Sequence, residues 1–343
     1  MQQDLVFPTS AELTEIDPVL FDKLTLNDPI FQFFPLENDP IPRLVWRQAD
    51  PTTGLMQFRG LDGEPRLVPN KGFAQFEAKP GVFGEKMVID ETEMTLRARM
   101  GSWSDSIDVS SLVTERQEML LHRQVSRIKW LIWTLVSTGS YVVLDQTGEV
   151  VDFAAYDPKV YVAPIGWGNQ ATARILADFR AVKLLARGQS VTFGAGSVAM
   201  MTEATAQKMY GNTNGNDLGG RRAEGLSSVD GLAPTNRILE REDLPQVQIY
   251  EGGYLDDLGV WQTWIPDDYV VVFGRRENNA RLGAFRYTLN RVNPGMSAAP
   301  YVRVVPKGMN SDQEPPPRIE VHRGFNGGPV VFYGGAVVIM KVA

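Results

Sequence analysis

The first forty residues combine frequent prolines with many large apolar side chains, and few compact folds can accommodate both. Proline removes a backbone hydrogen-bond donor and is poorly tolerated in helix interiors and central strands. The segment therefore cannot form a long regular element, yet its apolar side chains must be covered. We predict an extended arm that lies on a neighbouring surface. Its prolines and main apolar residues are Pro8, Pro18, Pro29, Pro35, Pro40, Leu20, Phe21, Leu24, Ile30, Phe31, Phe33 and Phe34.

The next segment, residues 41–90, has the pattern of a long β-hairpin. Strand-forming residues occur at 44–46 and again at 73–77. Between them, Asp62-Gly63 suits a tight turn, because both residues tolerate positive φ. An isolated two-stranded hairpin is only marginally stable in water. We therefore expect this hairpin, like the arm, to be completed by contacts with other subunits.

Residues 111–137 have the strongest helix signal in the chain. Apolar side chains recur at helical intervals, and the charged ones fall mainly elsewhere. Ser110 or Ser111 is a candidate N-cap, and Gly139 is a candidate stop. Such a helix would be about 40 Å long, which suggests the spine of a domain. Its apolar face is predicted to contain Val113, Leu120, Ile128, Leu131 and Leu135.

The rest of the chain mixes helix with many short strands. A second helix is predicted at 171–187, followed by a buried strand at 197–201 and a short helix that Thr202 caps. Residues 211–236 are rich in Gly and Asn and lack periodicity, which predicts a surface loop. This order of helices and then strands indicates an α+β fold. The later strands are predicted at 246–250, 260–265, 270–274, 284–289, 301–305, 318–322 and 329–342.

Composition excludes several classes of function. The chain has no cysteine, so disulfides and thiol nucleophiles are excluded. Two histidines are too few for the usual histidine-rich zinc site. The net charge is −7, whereas proteins that bind nucleic acid through its phosphates are usually basic. We expect no cofactor, no signal peptide and no membrane span, since no apolar stretch approaches the roughly 20 residues that a spanning helix needs.

One stretch loosely resembles a catalytic motif. Gly295-Met296-Ser297 has the outline of a nucleophile elbow, and His322 lies downstream. That elbow requires a strand, a sharp turn and then a helix. Prolines on both sides of the stretch do not permit the helix, so we interpret it as a loop.

Four further groups of residues favour structural roles over chemistry. The glycine-rich group lacks the third glycine of a phosphate-binding loop. Neighbouring aspartates rarely converge on one ion and suit turns. A helix-surface histidine can pair with a glutamate one turn away, and tryptophans among apolar residues suit a core. We therefore predict no catalytic, cofactor-binding or metal-ligating residue. The groups are Gly194-Ala195-Gly196, Asp256-Asp257 with Asp267-Asp268, His122 with Glu118, and Trp130 with Trp133.

Several stretches occur together in an order known from one family. They are Phe21-Asp22-Lys23-Leu24 and Ile30-Phe31-Gln32-Phe33-Phe34-Pro35, Ala78-Lys79-Pro80-Gly81-Val82, 124–136 with Ser137-Thr138-Gly139, Tyr250-Glu251-Gly252-Gly253-Tyr254, Trp264-Ile265-Pro266-Asp267-Asp268, and 270–274. In this order, over nearly the whole chain, they resemble the lambda-type major capsid protein family of tailed bacteriophages, whose members have the Hong Kong 97 capsid fold. The predicted loop 211–236 has no clear counterpart in the family, and no lysine–asparagine crosslinking site is evident.

The resemblance implies a division of the chain into four parts. Residues 1–40 would be the N-terminal arm, and 41–90 the extended hairpin, or E-loop. A peripheral domain with the spine helix would comprise 91–154 together with strands from about 275–325. An axial domain would comprise 155–274 together with a C-terminal strand at 326–343.

The resemblance also implies a function. Subunits would form pentamers and hexamers of an icosahedral shell around double-stranded DNA, assembled in the host cytoplasm and found in the virion. A scaffolding protein, a portal complex and a decoration protein are the expected partners, and no enzymatic activity is expected. Two alternatives remain at this point: an encapsulin-like compartment with the same fold, and a soluble enzyme with a strand-rich domain.

Overall fold

A computed structural model describes residues 25, 27–49, 73–98, 110–144, 148–154, 156–186, 191–210, 232–256, 258–276, 281–290, 298–307 and 318–343. Within these residues the helices are α1 (Ile30–Phe33), α2 (Glu91–Ala98), α3 (Ser110–Thr138), α4 (Ile175–Leu185), α5 (Glu203–Tyr210) and α6 (Leu232–Arg241). The strands are β1 (Leu36–Asn38), β2 (Leu44–Ala49), β3 (Phe73–Ala78), β4 (Gly81–Asp90), β5 (Ser140–Leu144), β6 (Val150–Ala154), β7 (Lys159–Val162), β8 (Val198–Met201), β9 (Gln246–Ile249), β10 (Gly253–Leu255), β11 (Trp261–Thr263), β12 (Tyr269–Phe273), β13 (Gly283–Tyr287), β14 (Tyr301–Lys307), β15 (Arg318–Val331) and β16 (Val337–Lys341).

The first of two five-stranded sheets is built around the long strand β15. Its first ten residues pair with β4 on one side, and its first seven pair with β14 on the other. Its last five residues pair with β13, and β13 pairs in parallel with β1. One face of this sheet packs on α3, where Ile319 and Val321 contact Leu112, Val113 and Leu120. The sheet and α3 thus share one layer of apolar side chains.

The second sheet has the strand order β7-β16-β12-β8-β9. Its three central strands, β16, β12 and β8, are buried on both faces. One face is covered by α4, α5 and α6, through side chains such as Phe179, Val182 and Leu239. The other face meets the main core, which includes Val271 and Phe273.

The described part of the arm is not an uncovered segment. Ile30, Phe31, Phe33 and Phe34 are buried in the subunit's own core, and the Phe33 ring stacks on Phe273 with centroids 4.5 Å apart. The prediction that these side chains need a neighbouring surface is therefore wrong. The prolines do exclude long helices, but the short helix α1 and strand β1 fit between them. Phe21 and Leu24 lie outside the described residues.

Polar contacts hold this part of the arm in place. The Asp28 carboxylate lies 2.6 Å from Lys129 Nζ on α3 and accepts a hydrogen bond of 3.0 Å from the Tyr250 hydroxyl. Further along, Arg286 of β13 pairs with Glu37 and Asp39 at 3.3 and 3.4 Å. The arm is thus bonded to α3 at one end and to the first sheet at the other.

The predicted hairpin is present at its base. β2 and β3 pair antiparallel, from Leu44 with Ala78 to Ala49 with Phe73. Leu44 and Trp46 are buried in the main core, and the Trp46 ring stacks on Phe76. The predicted range 41–90 is divided, because β4 leaves the hairpin and pairs with β15. The predicted turn at Asp62-Gly63 lies outside the described residues.

The spine helix closely matches its prediction. It runs over Ser110–Thr138, and all five predicted apolar-face residues are buried. Gly139 ends it with a φ of +74°, and its N–H donates to the Leu135 carbonyl at 2.8 Å. This left-handed conformation is accessible to glycine at little cost.

Two other helices differ from their predicted bounds. α4 begins at Ile175 and not at residue 171, because the preceding residues form a separate turn in which Ala173 N–H donates to the Asn169 carbonyl. The predicted loop 211–236 ends earlier than expected, since α6 begins at Leu232. Pro234 lies near the start of this helix, because proline is tolerated in the first turn.

Candidate functional site

Among the described residues, a small β-hairpin, Gly253–Thr263, carries a cluster of exposed apolar side chains, and we call it the finger. β10 and β11 pair antiparallel from Gly253 with Thr263 to Leu255 with Trp261. Four large apolar side chains on it face solvent, with Leu258 exposed to 88% of its surface. The other three, Leu255, Val260 and Trp261, are each more than half exposed. Clustered exposure of this kind usually marks an interaction surface.

Hydrogen bonds and an aromatic stack stabilise the finger. Asp256 accepts backbone hydrogen bonds from Leu258 and Val260, at 3.0 and 2.8 Å, and a third from the Gln262 side chain. These hydrogen bonds lower the pKa of the Asp256 carboxyl below its usual 3.8, so it stays ionised at neutral pH. At the base, the Tyr254 ring stacks on the buried Trp264 with centroids 4.9 Å apart. These contacts stabilise the described residues of the finger.

A second hairpin, β5–β6, also presents an apolar face. Tyr141 and Val143 point into the main core. On the opposite face Val142, Leu144 and Val150 are each more than half exposed. A two-stranded hairpin with one face in the core normally carries polar residues on the other, so this face is a second candidate contact surface.

The two edges of the second sheet differ. At β9, the side-chain amide of Asn236 bonds both the N–H and the carbonyl of Val247, at 2.7 and 2.9 Å. That edge is thus closed to another strand at its centre. At the opposite edge, β7 exposes Val160 and Val162. Exposed apolar edge strands are sites at which other chains can pair.

The glycine-rich loop and the aspartate pairs considered in the sequence analysis bond to other residues of the same chain. The glycine-rich loop at 194–196 bonds a carboxylate of its own chain, because Ala195 N–H donates to Asp243 Oδ1 at 2.7 Å. Asp267 accepts from the Thr202 hydroxyl, while Asp268 pairs with Lys208, so these aspartates do not converge. Ser297 and Asp257 lie outside the described residues.

The remaining candidates lie on α3 and β15. Trp133 is buried against Tyr250 and Phe273, which confirms core packing. Trp130 is half-buried beneath the Arg127 guanidinium. His122 is exposed on the helix, and His322 hydrogen-bonds Glu320 at 3.1 Å.

Neither a metal-binding cluster nor a membrane-spanning helix is present among the described residues. They contain no group of three or more His, Asp or Glu side chains placed to hold a metal ion. Among them there is also no helix both long enough and apolar enough to cross a membrane.

A family model described as phage major capsid protein E matches residues 40–307, which is most of the chain. The chain belongs to this family. It is accordingly a structural capsid protein of a tailed phage, as the sequence predicted. Because the matching family is one of phage capsids, the encapsulin-like alternative has less support.

Two solved structures resemble this capsid protein. One is a prophage protein from E. coli CFT073 described as a capsid protein, with 16% identity, a TM-score of 0.59, and coverage of 95% of this chain and 98% of that one. The other is a phage-related protein from Bordetella bronchiseptica RB50, with 11% identity, a TM-score of 0.57, and coverage of 95% and 97%. The α+β, Hong Kong 97-type fold is confirmed.

The sequence patterns did not predict the finger, although the sequence carries a signal for it. Leu255, Leu258, Val260 and Trp261 surround the aspartates that were interpreted only as turn residues. An apolar hairpin this short cannot bury its own side chains. The apolar side chains of this short hairpin therefore indicate a surface that is exposed in the single subunit.

Proposed function

We propose that this capsid protein assembles with copies of itself into pentamers and hexamers of a closed icosahedral shell around double-stranded DNA. The finger is the observation that supports self-assembly most directly. It exposes four large apolar side chains, and Asp256 accepts hydrogen bonds from two backbone N–H groups between them. The family membership supports the shell itself.

The proposal extends to partners and place of assembly. A scaffolding protein, a portal complex and a decoration protein are expected to join the shell, which forms in the host cytoplasm and becomes part of the virion. The subunit acts without enzymatic activity. In the proposed division, the first sheet and α3 form the peripheral domain, and the second sheet forms the axial domain.

Electron microscopy of the purified protein tests the shell. We expect closed particles, and in infected cells particles large enough to hold a genome. A monodisperse monomer at micromolar concentration by light scattering would contradict self-assembly. Small shells filled with a single cargo enzyme would favour the compartment alternative.

The hairpin tip provides a separate test of the proposed E-loop. Residues 60–69 should be replaced by a short Gly-Ser turn. Because loop shortening changes closure entropy only slightly, we expect normal circular dichroism and a cooperative melt. Shell formation should fail, since the tip is proposed to contact an adjacent subunit. Normal particles from this variant would show that the hairpin does not join subunits.

A further inference from the structure

Strand β7 forms one edge of the second sheet, and its outer side is open. The Ala163 N–H donates to the Lys341 carbonyl at 2.9 Å, so Ala163 directs its backbone groups towards β16. Successive residues of a strand direct these groups to opposite sides. The N–H and carbonyl groups of Val160 and Val162 therefore point away from β16. No residue that the structure describes bonds these groups, so β7 can accept a further strand.

The side chains along this edge are apolar and exposed. Val160 and Val162 are 59% and 61% exposed. They lie on the face of the sheet opposite α4, because the hydroxyl of Tyr161 between them bonds Asp178 of α4 at 2.8 Å. On that same face the exposed Lys341 of β16 pairs with Val162. An apolar edge of this kind favours pairing with a strand of another chain.

The finger has a matching open edge on β11. The Asp256 N–H donates to the Val260 carbonyl at 2.9 Å, so Val260 directs its backbone groups towards β10. By the same alternation, the N–H and carbonyl groups of Trp261 and Thr263 point away from β10. Among the described strands, β10 and β11 pair only with each other. Two residues of β11 are thus available to pair with two residues of β7.

The side chains of the two edges are also complementary. Trp261 packs over its own hairpin, since a Cβ added at Gly253 would lie 2.7 Å from the indole ring. Antiparallel pairing of β11 with β7 would set Trp261 opposite Val162 and Thr263 opposite Val160. Directly opposed residues share one face of a sheet, and pairs of an aromatic with a β-branched residue are stabilising.

The charges near the two edges are opposite in sign. Residues 250–264 contain the three carboxylates of Glu251, Asp256 and Asp257 and no lysine or arginine. On the side of β7, Lys341 is exposed beside Val162. Opposite charges on two surfaces favour their encounter and fix their register.

The sheet order indicates that the two edges belong to different copies. The finger follows β9, which is the edge strand farthest from β7. Asn236 closes the β9 edge itself, so β7 of one copy cannot simply pair with β9 of another. A contact between the finger and β7 joins two different surfaces, and repeated contacts of this heterologous type can close into rings. Rings are the arrangement required by pentamers and hexamers.

We propose that β11 of one copy pairs antiparallel with β7 of an adjacent copy in the same ring. The second sheet of one subunit would then continue into the finger of the next. This inference rests on the proposed shell and names the surface that receives the finger.

Engineered cysteines test the contact, because the chain has none of its own. Val160→Cys and Thr263→Cys should be prepared as separate proteins, mixed in equal amounts before assembly and mildly oxidised. We expect a disulfide-linked dimer from the mixture on a nonreducing gel, since directly paired Cα atoms lie about 5.5 Å apart. Neither protein should form it alone. The two cysteines are on different chains, so the dimer reports a contact between copies.

The β5–β6 hairpin supplies the matched control. Val142 is 51% exposed, and Val142→Cys should not link to Thr263→Cys. A dimer from that mixture in place of the expected one would put the finger on β5–β6 and overturn the inference. A chain carrying both Val160→Cys and Thr263→Cys tests the remaining arrangement. A disulfide within that chain, without linked dimers, would put the finger on β7 of its own subunit.

A backbone variant tests strand pairing itself. Val162→Pro removes the outward N–H and keeps the bonds to β16, and proline is tolerated on edge strands. Losing one hydrogen bond should raise the subunit concentration at which half of the protein sediments as particles by about two- to tenfold. Val162→Thr keeps both the N–H and the β-branched shape and should assemble normally. Equal assembly of the two variants, with equal circular dichroism, would contradict strand pairing.

The unmodified protein separates this inference from the proposed shell. If it forms particles while the Val160→Cys and Thr263→Cys mixture forms no linked dimer, the shell stands and the pairing of β11 with β7 is wrong. If the unmodified protein forms no particles, the shell itself is wrong.

Discussion

The described arm and the finger are both short, apolar and irregular in sequence, but they differ in where their side chains lie. Ile30 and Phe34 of the arm are fully buried within the subunit, whereas Leu258 of the finger is 88% exposed. Apolar content alone therefore does not identify an assembly surface. The arm contributes to folding of one subunit, and the finger is available to another. The following predictions test that distinction.

The largest effect should come from the arm. Phe34→Ala should lower the free energy of unfolding by about 3–5 kcal/mol, because it leaves a cavity beneath a fully buried ring that packs on Gly283. Urea denaturation followed by circular dichroism measures this change. Ile41→Ala, at a side chain that is 45% exposed, is the control and should change stability little. A loss below 1 kcal/mol for Phe34→Ala would mean that the arm does not belong to the subunit core.

A smaller effect should come from the polar attachment of the arm. Asp28→Ala removes the partner of Lys129 and of the Tyr250 hydroxyl. We expect a loss of about 1–3 kcal/mol, the cost of leaving such groups unpaired in a largely buried site. Glu149→Ala breaks the exposed pair with Lys79 and should change stability by less than about 1 kcal/mol. Equal effects of the two variants in denaturation would contradict the buried attachment.

Asp256→Ala should affect the finger more than the fold. The change removes the acceptor of three hydrogen bonds in the turn, so the tip should lose order while the cores remain folded. The pKa of Asp256 is lowered, so its contribution is complete above the usual 3.8 and is lost as pH falls through the lower folded-state pKa. Hydrogen exchange of residues 258–260 should accelerate in the alanine variant. Asp256→Asn keeps one oxygen acceptor and should stay closer to the native rate.

The smallest effect on stability should come from Leu258→Ser. Its side chain has almost no contact within the subunit, so the free energy of unfolding should change by less than about 0.5 kcal/mol. The fraction of protein in particles, measured by sedimentation, should nevertheless fall sharply, because each particle loses the contact many times. Glu115→Ala, at an exposed position on α3, should change neither quantity by a comparable amount. Normal assembly by Leu258→Ser would remove the finger from the proposed contacts.

The sequence alone predicted the helices and strands that depend mainly on residues close to one another in the chain. The spine helix was predicted to within a residue or two at each end, because its apolar spacing and the glycine at 139 act within one helical turn. The hairpin strands β2 and β3 were also located by residue type. The succession of predicted helices and then many predicted strands indicated the correct α+β class. The order in which several short sequence stretches occur indicated the correct family.

Tertiary structure alone decided which apolar residues are covered. Nothing in 27–39 indicates that Phe273 lies beneath Phe33 or that Lys129 lies beside Asp28, because those contacts join residues about a hundred or more positions apart. The pairing of β4 with β15 was likewise invisible, since it joins residues more than 200 positions apart. That pairing brings Lys86 beside Glu320, and the pairing of β14 with β15 brings Lys307 to the same carboxylate. Burial depends on long-range contacts, whereas the sequence pattern reports chiefly on local ones.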